Sequence, residues 1–420
     1  MCFFHQRGSN GQQPGVSYAT NKGSAMTHET RGWFLGHLKD SAVSPNKRVC
    51  IVTWRGSSNF GSNLQAYALH RKLEVLGYHI CILSEVPNFS CRYWIQYILS
   101  VVGIWQVLRW LKFKYLDVST PTRKTETRIE AWGRRVFNGV RIKFPWQLHR
   151  LVKQTECFVT GSDQIWNTYC SFDPTMYLAF AGNRKRVAYA SSVGTASINP
   201  DCSAQMNDWL LKFNHLSLRE KSGVNLIAEL TGRTDVVQVC DPTFLLTARD
   251  WDEISQQSQI ASDLSRPFIA CYLLSKNPAY TKYLADVCNH FAIARVVIVP
   301  ACENPDFYFE GAEVFLNADP ADFVKILASA SLICTDSFHA SALCINIEKP
   351  FVEFLRFSDQ DPYSQNSRIY DLLHHYHLVD RLYHAESNAW QEPLDFTKSR
   401  QILATDRERS LKYLVNAIEN

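Results

Sequence analysis

Cys334-Thr335-Asp336-Ser337-Phe338-His339-Ala340-Ser341-Ala342 joins two segments of different character. The apolar run 328–333 before it is typical of a short buried strand, and residues 343–347 after it are typical of a helix body. A strand that ends in Asp, Ser and His and turns at once into a helix places these groups at the carboxyl edge of a sheet, where open α/β folds bind ligands. The new helix adds free N–H groups and a positive dipole end, which favour an anionic ligand. This stretch therefore predicts an α/β protein with an anion-binding site.

The same succession of an apolar run, a polar turn and a helical pattern recurs along most of the chain. Runs typical of strands occupy residues 48–54, 78–83, 157–160, 186–190, 215–218, 236–240, 268–274, 294–299 and 350–354. Helical patterns occupy residues 64–76, 280–291, 320–327 and about 400–418. This alternation is typical of doubly wound parallel sheets. We therefore predict two Rossmann-like domains that face a cleft, with the C-terminal helix packing back.

The length of the chain predicts two domains, because 420 residues exceed the usual size of one hydrophobic core. Residues 1–46 are rich in Gly, Ser, Asn, Gln and Thr without sustained periodicity, which predicts a poorly ordered leader. The polar stretch 251–265 is the candidate linker. We accordingly expect an N-terminal domain over residues 47–255 and a C-terminal domain over residues 256–420.

Composition narrows the class of protein. Apolar residues make up 46% and charged residues 20%, as is usual for a globular enzyme, and a net charge of +4 does not by itself indicate a nucleic-acid partner. The thirteen cysteines are odd in number, form no CxxC pair and lie partly within apolar runs, which predicts reduced thiols in a cytoplasmic protein. No zinc-ligand spacing is present, so we expect no metal.

Two segments admit two interpretations each. Residues 93–108 carry no formal charge and are followed by Arg109, Lys112 and Lys114. Because a transmembrane helix needs about 20 apolar residues, Tyr93–Tyr115 is either a helix packed on its domain or an interfacial helix that dips into a membrane surface. Residues 123–150 hold eight Lys or Arg against two Glu, which indicates a solvated basic face or, as the alternative, recognition of phosphate or an anionic lipid head.

His339 and Arg219 are the candidate catalytic residues. Imidazole has a reference pKa of about 6.5 and can therefore donate or accept a proton near neutral pH. His339 also lies between a strand end and a helix start, beside Asp336 and Ser337, which we expect to bind substrate. Arg219 leaves a strand and precedes a helical pattern, so its guanidinium could bind phosphate or carboxylate. The alternative for Arg219 is a salt bridge with Glu220 or with a neighbouring helix.

Two polar turns are candidates for substrate binding. The first contains Asn59, Gly61 and Asn63; it lacks the glycine spacing of a dinucleotide loop and the Gly-Lys-Ser/Thr of a P-loop, but it can present amides to a sugar or phosphate. The second, Gly161-Ser162-Asp163, places a carboxylate where it could orient a hydroxyl group. Asp and Ser are also ordinary helix-capping residues, and Asp241 before Pro242 is interpreted as a turn cap.

Taken together, five motifs resemble those of the polysaccharide pyruvyl transferase family, and they occur in the order of that family. The motifs are Asn59-Phe60-Gly61 with Asn63-Leu64-Gln65-Ala66-Tyr67-Ala68-Leu69, Thr160-Gly161-Ser162-Asp163-Gln164-Ile165-Trp166-Asn167, Ser217-Leu218-Arg219-Glu220-Lys221-Ser222-Gly223, Cys240-Asp241-Pro242-Thr243-Phe244-Leu245-Leu246 and Thr335-Asp336-Ser337-Phe338-His339. The resemblance covers roughly residues 48–385. The chain departs from the family pattern at Ala340, where members often have glycine, and it carries Ser62 where members often have a small polar residue or Asp.

This resemblance implies a fold like that of the GT-B glycosyltransferases, with residues 47–255 on the acceptor side and the motif of His339 in the C-terminal domain. It also implies transfer of the enolpyruvyl group of phosphoenolpyruvate to sugar hydroxyls, which forms a pyruvate ketal and releases phosphate. In that reaction His339 corresponds to the proton donor and Arg219 to the arginine that holds the anionic groups. Phosphoenolpyruvate is then a co-substrate, and no separate cofactor is expected.

The partners expected on this basis are phosphoenolpyruvate and a saccharide acceptor, either a polysaccharide or its lipid-linked precursor, with the protein in the cytoplasm or peripheral at the inner face of the cell membrane. Two other functions fit the same scaffold. One is a sugar-nucleotide glycosyltransferase, which would bind a nucleotide diphosphate sugar. The other is a non-catalytic glycan-binding protein, which would bind its ligand without releasing phosphate.

Overall fold

The first of two parallel sheets is built from the N-terminal half of the chain. Its strands are β1 (Arg48–Val52), β2 (His79–Leu83), β3 (Cys157–Thr160) and β4 (Lys185–Ala188), in the order β2-β1-β3-β4. A parallel bridge between Ile82 and Gly139 extends one edge, and a bridge between Ser191 and Leu218 extends the other. Beyond that second edge, β5 (Ser217–Leu218) pairs with β6 (Val237–Gln238). The strand order therefore reverses between β1 and β3.

The second sheet contains β7 (Ile269–Tyr272), β8 (Val296–Ile298), β9 (Glu313–Val314), β10 (Leu332–Thr335) and β11 (Phe351–Glu353). All neighbours are parallel, in the order β11-β10-β7-β8-β9. The strand order reverses between β7 and β10, and ligands of open α/β sheets bind outside the carboxyl ends of the strands at such a point. Two Rossmann-like sheets are thus present, and the predicted fold class is confirmed.

Helices connect most of the parallel strands, as is usual for parallel pairing, whereas β3 and β4 are joined through a single 3₁₀ turn. They are α1 (Phe60–Val75), α2 (Pro121–Val136), α3 (Pro145–Gln154), α4 (Pro200–Leu210), α5 (Lys221–Thr231), α6 (Ala248–Ser255), α7 (Tyr280–Phe291), α8 (Pro320–Ser329), α9 (Phe338–Ile347), α10 (Ser367–His375) and α11 (Thr397–Glu419). Single turns of 3₁₀ helix occupy Ala179–Ala181, Pro242–Leu245, Val379–Arg381 and Ala389–Gln391.

The computed structural model describes residues 44, 46–55, 59–87, 89, 121–300, 307–361 and 363–420, with the backbone alone for 121–127. Most of the predicted leader and the segment Tyr93–Tyr115 lie outside the described residues, so both predictions stand as they were made. Within the described part of the chain, no helix is long and apolar enough to cross a membrane. The ten described cysteines are free thiols.

Two boundaries differ from the sequence-based expectation. Residues 328 and 329 end helix α8 rather than begin a strand, because α8 starts with a capping box of Asp319 and Asp322 and continues until the Ala330 amide bonds to the Ile326 carbonyl. The strand itself is shifted to Leu332–Thr335. In the candidate linker 251–265, the first five residues belong to α6, which a capping box of Thr247 and Asp250 starts.

The C-terminal helix packs back onto the first sheet, as predicted. The Tyr413 hydroxyl donates to the Ala188 carbonyl at 3.1 Å, and the Cys240 amide donates to Ser410 Oγ at 2.9 Å. Near the end of the helix, Glu419 accepts a hydrogen bond from the Tyr78 hydroxyl at 2.8 Å. The C-terminal helix therefore packs against the part of the chain that contains the first sheet. The predicted domain limits of 47–255 and 256–420 remain a prediction.

Helix α1 follows a strand of the first sheet but contacts β7 and α8. These belong to the part of the chain that contains the second sheet, which we call the second half; the part that contains the first sheet is the first half. The ring of Phe60 stacks on Phe323 of α8, with centroids 4.7 Å apart, and meets the edge of Tyr272 at 5.8 Å. A Cβ atom added to Gly61 would lie 2.5 Å from Nδ1 of His339, closer than van der Waals contact allows. The first turn of α1 thus meets the first turn of α9, and this close approach requires glycine.

Replacing Gly61 with alanine should lower the free energy of unfolding by about 1–3 kcal/mol, because the added methyl group overpacks the contact with His339. Gly133→Ala is the matched control: it lies in α2, where the new Cβ would meet Phe137 at an ordinary 3.6 Å. A glycine-to-alanine change in a helix usually stabilises by up to about 1 kcal/mol. Urea unfolding should therefore give opposite signs for the two variants; the same sign would contradict this packing.

The carboxyl group of Glu353 lies behind the first turn of α9. Its side chain is buried, Ser341 Oγ donates a hydrogen bond to Oε2, and Oε1 has no hydrogen-bond partner among the described residues. Burial raises the pKa of Glu353 to about 8. In the unfolded chain the group ionises near a pKa of about 4.3. The folded protein therefore holds one more proton than the unfolded chain between these pH values.

The contribution of Glu353 to stability should accordingly be largest at low pH and fall as the pH rises toward about 8, with a slope of up to about 1.4 kcal/mol per pH unit. Glu353→Gln keeps a neutral group of the same shape, so the variant should gain stability relative to wild type as the pH rises from 5 to 8. The exposed Glu310→Gln serves as the control. Parallel pH profiles of the unfolding free energy for wild type and Glu353→Gln would refute a neutral carboxyl group at this position.

Candidate functional site

A cavity of about 590 Å³ lies where the carboxyl edges of the two sheets meet. From the first half, it is lined by Trp54, Arg55, Asn59, Ser62, Ser84, Glu85, Asp163, Gln164, Asp173 and Met176. From the second half, it is lined by Leu274, Ser337, Phe338, His339, Arg356, Gln365 and Arg368. Both points of strand-order reversal contribute, since Asp163 follows β3 and Ser337 follows β10. The cavity is therefore at the place that the strand-end motifs predicted.

His339, in the first turn of α9, lines this cavity but is 7% exposed. Its Nε2 atom lies 3.3 Å from Nη1 of Arg219 and 3.7 Å from Oδ2 of Asp241. A guanidinium can only donate, so Nε2 accepts, which assigns the proton of the neutral ring to Nδ1. Burial lowers the pKa of His339, helped by the charges of Arg219 and Arg368, while Asp241 and Asp163 oppose the shift. The lowered pKa favours the neutral imidazole at neutral pH.

Arg219 lies one layer behind His339 and does not itself line the large cavity. Its Nε donates to Glu220, and its Nη1 donates to Asp241 at 3.1 Å, so the salt-bridge interpretation of the sequence is correct for these atoms. The guanidinium carbon lies 4.0 Å from the ring centroid of Phe338. Nη2 is buried and has no hydrogen-bond partner among the described residues. Such a donor costs about 1–3 kcal/mol unless a ligand or water accepts its hydrogen bond.

Asp163 places a carboxylate at the end of β3, opposite the histidine. Its Oδ2 accepts a hydrogen bond of 2.5 Å from Ser62 Oγ, and its Oδ1 accepts from the Gln164 amide at 2.8 Å. Burial by itself would raise the pKa of Asp163, but the charges of Arg219 and of the His339 ring, when that ring is protonated at acidic pH, and these hydrogen bonds hold it below the ordinary value. The carboxylate therefore stays ionised, which suits a group that accepts hydrogen bonds from a substrate hydroxyl.

Gly161 and Ser162 shape the turn before Asp163 and do not line the cavity. Gly161 has φ of +114°, and a Cβ there would lie 2.2 Å from the Tyr189 carbonyl oxygen. The Ser162 amide donates to Gln65 Oε1 at 3.0 Å, and its hydroxyl donates to the Ala190 carbonyl at 2.6 Å. These hydrogen bonds hold the turn against α1 and the strand end of β4.

The two asparagines of the first turn have different positions. Asn59 lines the cavity and caps α1, accepting a hydrogen bond from the Ser62 amide at 3.3 Å. Asn63 is fully buried behind it and donates to the Asn59 carbonyl at 2.9 Å. Gly61 lies between them and contacts His339. The turn therefore presents one asparagine to the cavity and uses the other to support the backbone.

Asp336 and Ser337 also separate. The Asp336 carboxylate accepts hydrogen bonds from the Leu274 amide at 2.6 Å and the Tyr280 hydroxyl at 3.0 Å, so it ties the end of β10 to the end of β7 and does not line the cavity. Ser337 lines the cavity at the start of α9, where no side-chain cap bonds to the first N–H groups of the helix. These N–H groups remain suited to an anion.

Three arginines that line the cavity were not singled out from the sequence. Arg55 follows the carboxyl end of β1 and Arg356 follows that of β11, so the strand-end rule that found His339 would also have found these two. Arg368 belongs to α10 and reaches the cavity only through packing. Burial, together with the charges of Arg219 and Arg356, lowers the pKa of Arg368 to about 9. This crowding of positive charge favours an anionic ligand.

Asp241 does more than cap a turn. Its Oδ1 accepts hydrogen bonds from the Thr243 amide and hydroxyl, as a cap does, at 2.9 and 2.8 Å. Its Oδ2 accepts from Arg219 at 3.1 Å and lies 3.2 Å from Ser162 Oγ, beside the His339 ring. One buried carboxylate therefore joins the three motifs of Arg219, Ser162 and His339. Among the described residues there is no group of His, Cys, Asp and Glu that could hold a metal ion.

Comparison with solved structures finds distant similarities. MnaA from S. aureus, solved with UDP, is 13% identical with a TM-score of 0.44, over 88% of this chain and 91% of that chain. UDP-GlcNAc 2-epimerase from Neisseria meningitidis, bound to UDP-GlcNAc, is 10% identical with a TM-score of 0.44, over 89% and 97% of the chains. The glycosyltransferase SsfS6 from Streptomyces sp. SF2575 is 12% identical with a TM-score of 0.38, over 89% and 100% of the chains.

Comparison at the level of sequence is more direct. No curated protein matches the chain. A model of the family described as polysaccharide pyruvyl transferase matches residues 59–356, a range that begins at the cap of α1 and ends at Arg356. That range spans most of the chain and contains all five motifs and His339. The chain therefore belongs to the polysaccharide pyruvyl transferase family.

Proposed function

We propose that this protein transfers the enolpyruvyl group of phosphoenolpyruvate to two hydroxyl groups of a saccharide, forming a pyruvate ketal and releasing phosphate. The observation that carries the proposal is the position of His339 among arginines at the carboxyl edge of the second sheet. A proton donor beside a concentrated positive charge suits an anionic substrate that must be protonated on carbon. Family membership supports the transferase class.

The anionic groups of phosphoenolpyruvate fit the side of the cavity formed by the second half of the chain. Arg356 and Arg368 can bind phosphate or carboxylate through paired N–H groups, and the start of α9 at Ser337 adds backbone donors. Arg219 supports the site from behind by hydrogen bonding to Asp241 and to the neutral ring of His339. As phosphate departs, these same donors stabilise its growing charge.

In the proposed reaction, His339 gives a proton to the methylene carbon, and the resulting positive centre at C2 is attacked by the oxygen of one sugar hydroxyl. Attack by a second hydroxyl displaces phosphate and closes the ketal. The protons lost by the two hydroxyls restore the imidazolium and leave with phosphate. Binding of the anionic substrate must first raise the pKa of His339, since added negative charge favours the protonated ring.

The saccharide acceptor fits the side formed by the first half. Asp163 stays ionised and can accept a hydrogen bond from a sugar hydroxyl, and Glu85 and Asp173 line the same side. Trp54 offers an aromatic ring of the kind that packs on sugar faces. We propose that the acceptor is a polysaccharide or its lipid-linked precursor. We also propose that the protein lies in the cytoplasm or at the inner face of the cell membrane. The segment Tyr93–Tyr115 is a candidate for contact with that membrane.

A phosphate-release assay with phosphoenolpyruvate and galactosyl or mannosyl acceptors tests the reaction. Wild type should release phosphate in an acceptor-dependent manner, and His339→Ala should be slower by about 10²–10⁴-fold, the usual contribution of general acid catalysis. The exposed His384→Ala should retain wild-type turnover.

Failure of wild type to release phosphate with any acceptor, together with no phosphoenolpyruvate binding by calorimetry, would overturn the proposed function. Binding of a nucleotide diphosphate sugar instead would favour the glycosyltransferase, and glycan binding without turnover would favour a non-catalytic binding protein. Full turnover by His339→Ala would refute only the assignment of His339 as the proton donor.

The pH dependence tests the charge balance around His339. If the protonated ring is required, kcat/KM should fall as pH rises through the lowered pKa of His339 in the free enzyme, and kcat should fall at higher pH because the bound anion raises that pKa. Asp241→Asn removes a negative charge 3.7 Å from Nε2, so the fall in kcat/KM should move to lower pH. The exposed Asp208→Asn should leave the profile unchanged. An unchanged profile in Asp241→Asn would show that Asp241 does not support the charged ring.

A further inference from the structure

Helix α3 carries one exposed face that the proposed reaction does not use. Its inner residues Leu148, Leu151 and Val152 pack against the core of the first half. The residues at the complementary helical spacing, Trp146, His149, Arg150 and Lys153, are all exposed, and we call them the α3 outer face. Trp146 is 63% exposed, a large fraction for the largest apolar side chain.

The stretch of chain that contains this face, between Glu130 and Glu156, carries charges of one sign. Residues 131–155 contain six Lys or Arg and no Asp or Glu. Two of these cations, Arg134 and Arg135, pair with acidic residues elsewhere. Arg141, Arg150 and Lys153 form no ion pair with any described residue. A solvated basic helix usually alternates its charges, so this unbalanced cluster indicates an anionic partner.

The topology places the start of α3 at the same sheet edge as the cavity. Gly139 pairs with β2 in parallel, so the chain passes the carboxyl edge of the first sheet at Arg141 before α3 returns toward the start of β3. Arg141 is close enough to the cavity residue Arg55 for its charge to lower the pKa of Arg55, after the larger effect of burial. Trp146, in the first turn of α3, is stacked on Phe144 with ring centroids 4.4 Å apart.

We propose that the α3 outer face, with Arg141 and Phe144, binds the surface of an anionic lipid bilayer. Tryptophan with neighbouring Lys and Arg on one face of a helix is the composition of interfacial helices, in which the ring enters the headgroup boundary and the cations meet anionic lipids. The face is the outer side of a helix and contributes no residue to the large cavity, so it suits a flat surface better than an enclosed saccharide chain. Binding there holds the cavity edge beside the membrane. This inference does not depend on the reaction proposed above.

Cosedimentation of the full chain with vesicles tests the proposal. The chain should bind vesicles of phosphatidylserine and phosphatidylcholine, bind those of phosphatidylcholine alone much more weakly, and lose affinity as salt rises. Each Lys or Arg near an anionic surface contributes about fivefold in affinity, so Arg150→Glu with Lys153→Glu should weaken binding by at least about 25-fold. Trp146→Ala should weaken it by several-fold.

Two controls match these changes on surfaces formed by the second half. Lys282→Glu with Lys398→Glu, both exposed, changes the net charge equally, and Tyr308→Ala removes an aromatic ring that is 68% exposed. Both controls should bind vesicles like wild type. No binding to anionic vesicles, or wild-type affinity in either the Trp146 or the double charge variant, would overturn the proposal. Loss of RNA binding in these variants with vesicle binding intact would overturn it in favour of a nucleic-acid surface.

Discussion

The contact between Gly61 of α1 and His339 of α9 is the constraint on which the site depends. Without a side chain, Gly61 lets the first turn of one helix touch the imidazole on the first turn of the other. Because α1 follows a strand of the first sheet and α9 follows a strand of the second, this contact fixes where the two carboxyl edges meet. The stacking of Phe60 on Phe323 adds a second contact, between α1 and α8.

Buried charge is the second requirement of this arrangement. Arg219 is 6% exposed and would be costly without counter-charges; Glu220 and Asp241 supply them through direct hydrogen bonds. Asp241 also lies beside His339, so the carboxylate that holds the arginine affects the protonation of the histidine. Positioning and electrostatics therefore cannot be separated here: a change that releases Arg219 also changes the charge that His339 experiences.

The sequence predicted the fold class and every described strand except β9, because the relevant signals are local. A short apolar run followed by Asp, Ser or Gly and a helical pattern needs no distant contact to be recognised, and it located Asp163, Ser337 and His339 at the cavity. The local signal failed where a helix and a strand compete for the same residues. Residues 328 and 329 were assigned to the strand, but they belong to the capped helix α8. The signal also did not separate residues that face the cavity from those that support it, such as Asn59 from Asn63.

The sequence alone determined that polar groups end several parallel strands, since strand ends and helix starts are encoded within a few residues. The tertiary structure decided which of those groups converge. Asp336 accepts a hydrogen bond from the end of β7, whereas Ser337 lines the cavity. Arg368 also lines the cavity, but it belongs to α10, which follows neither of the strands at which the strand order reverses. Side-chain direction and long-range packing set these outcomes. They depend on how the two sheets and α1 fit together, a relation that no single stretch of sequence contains.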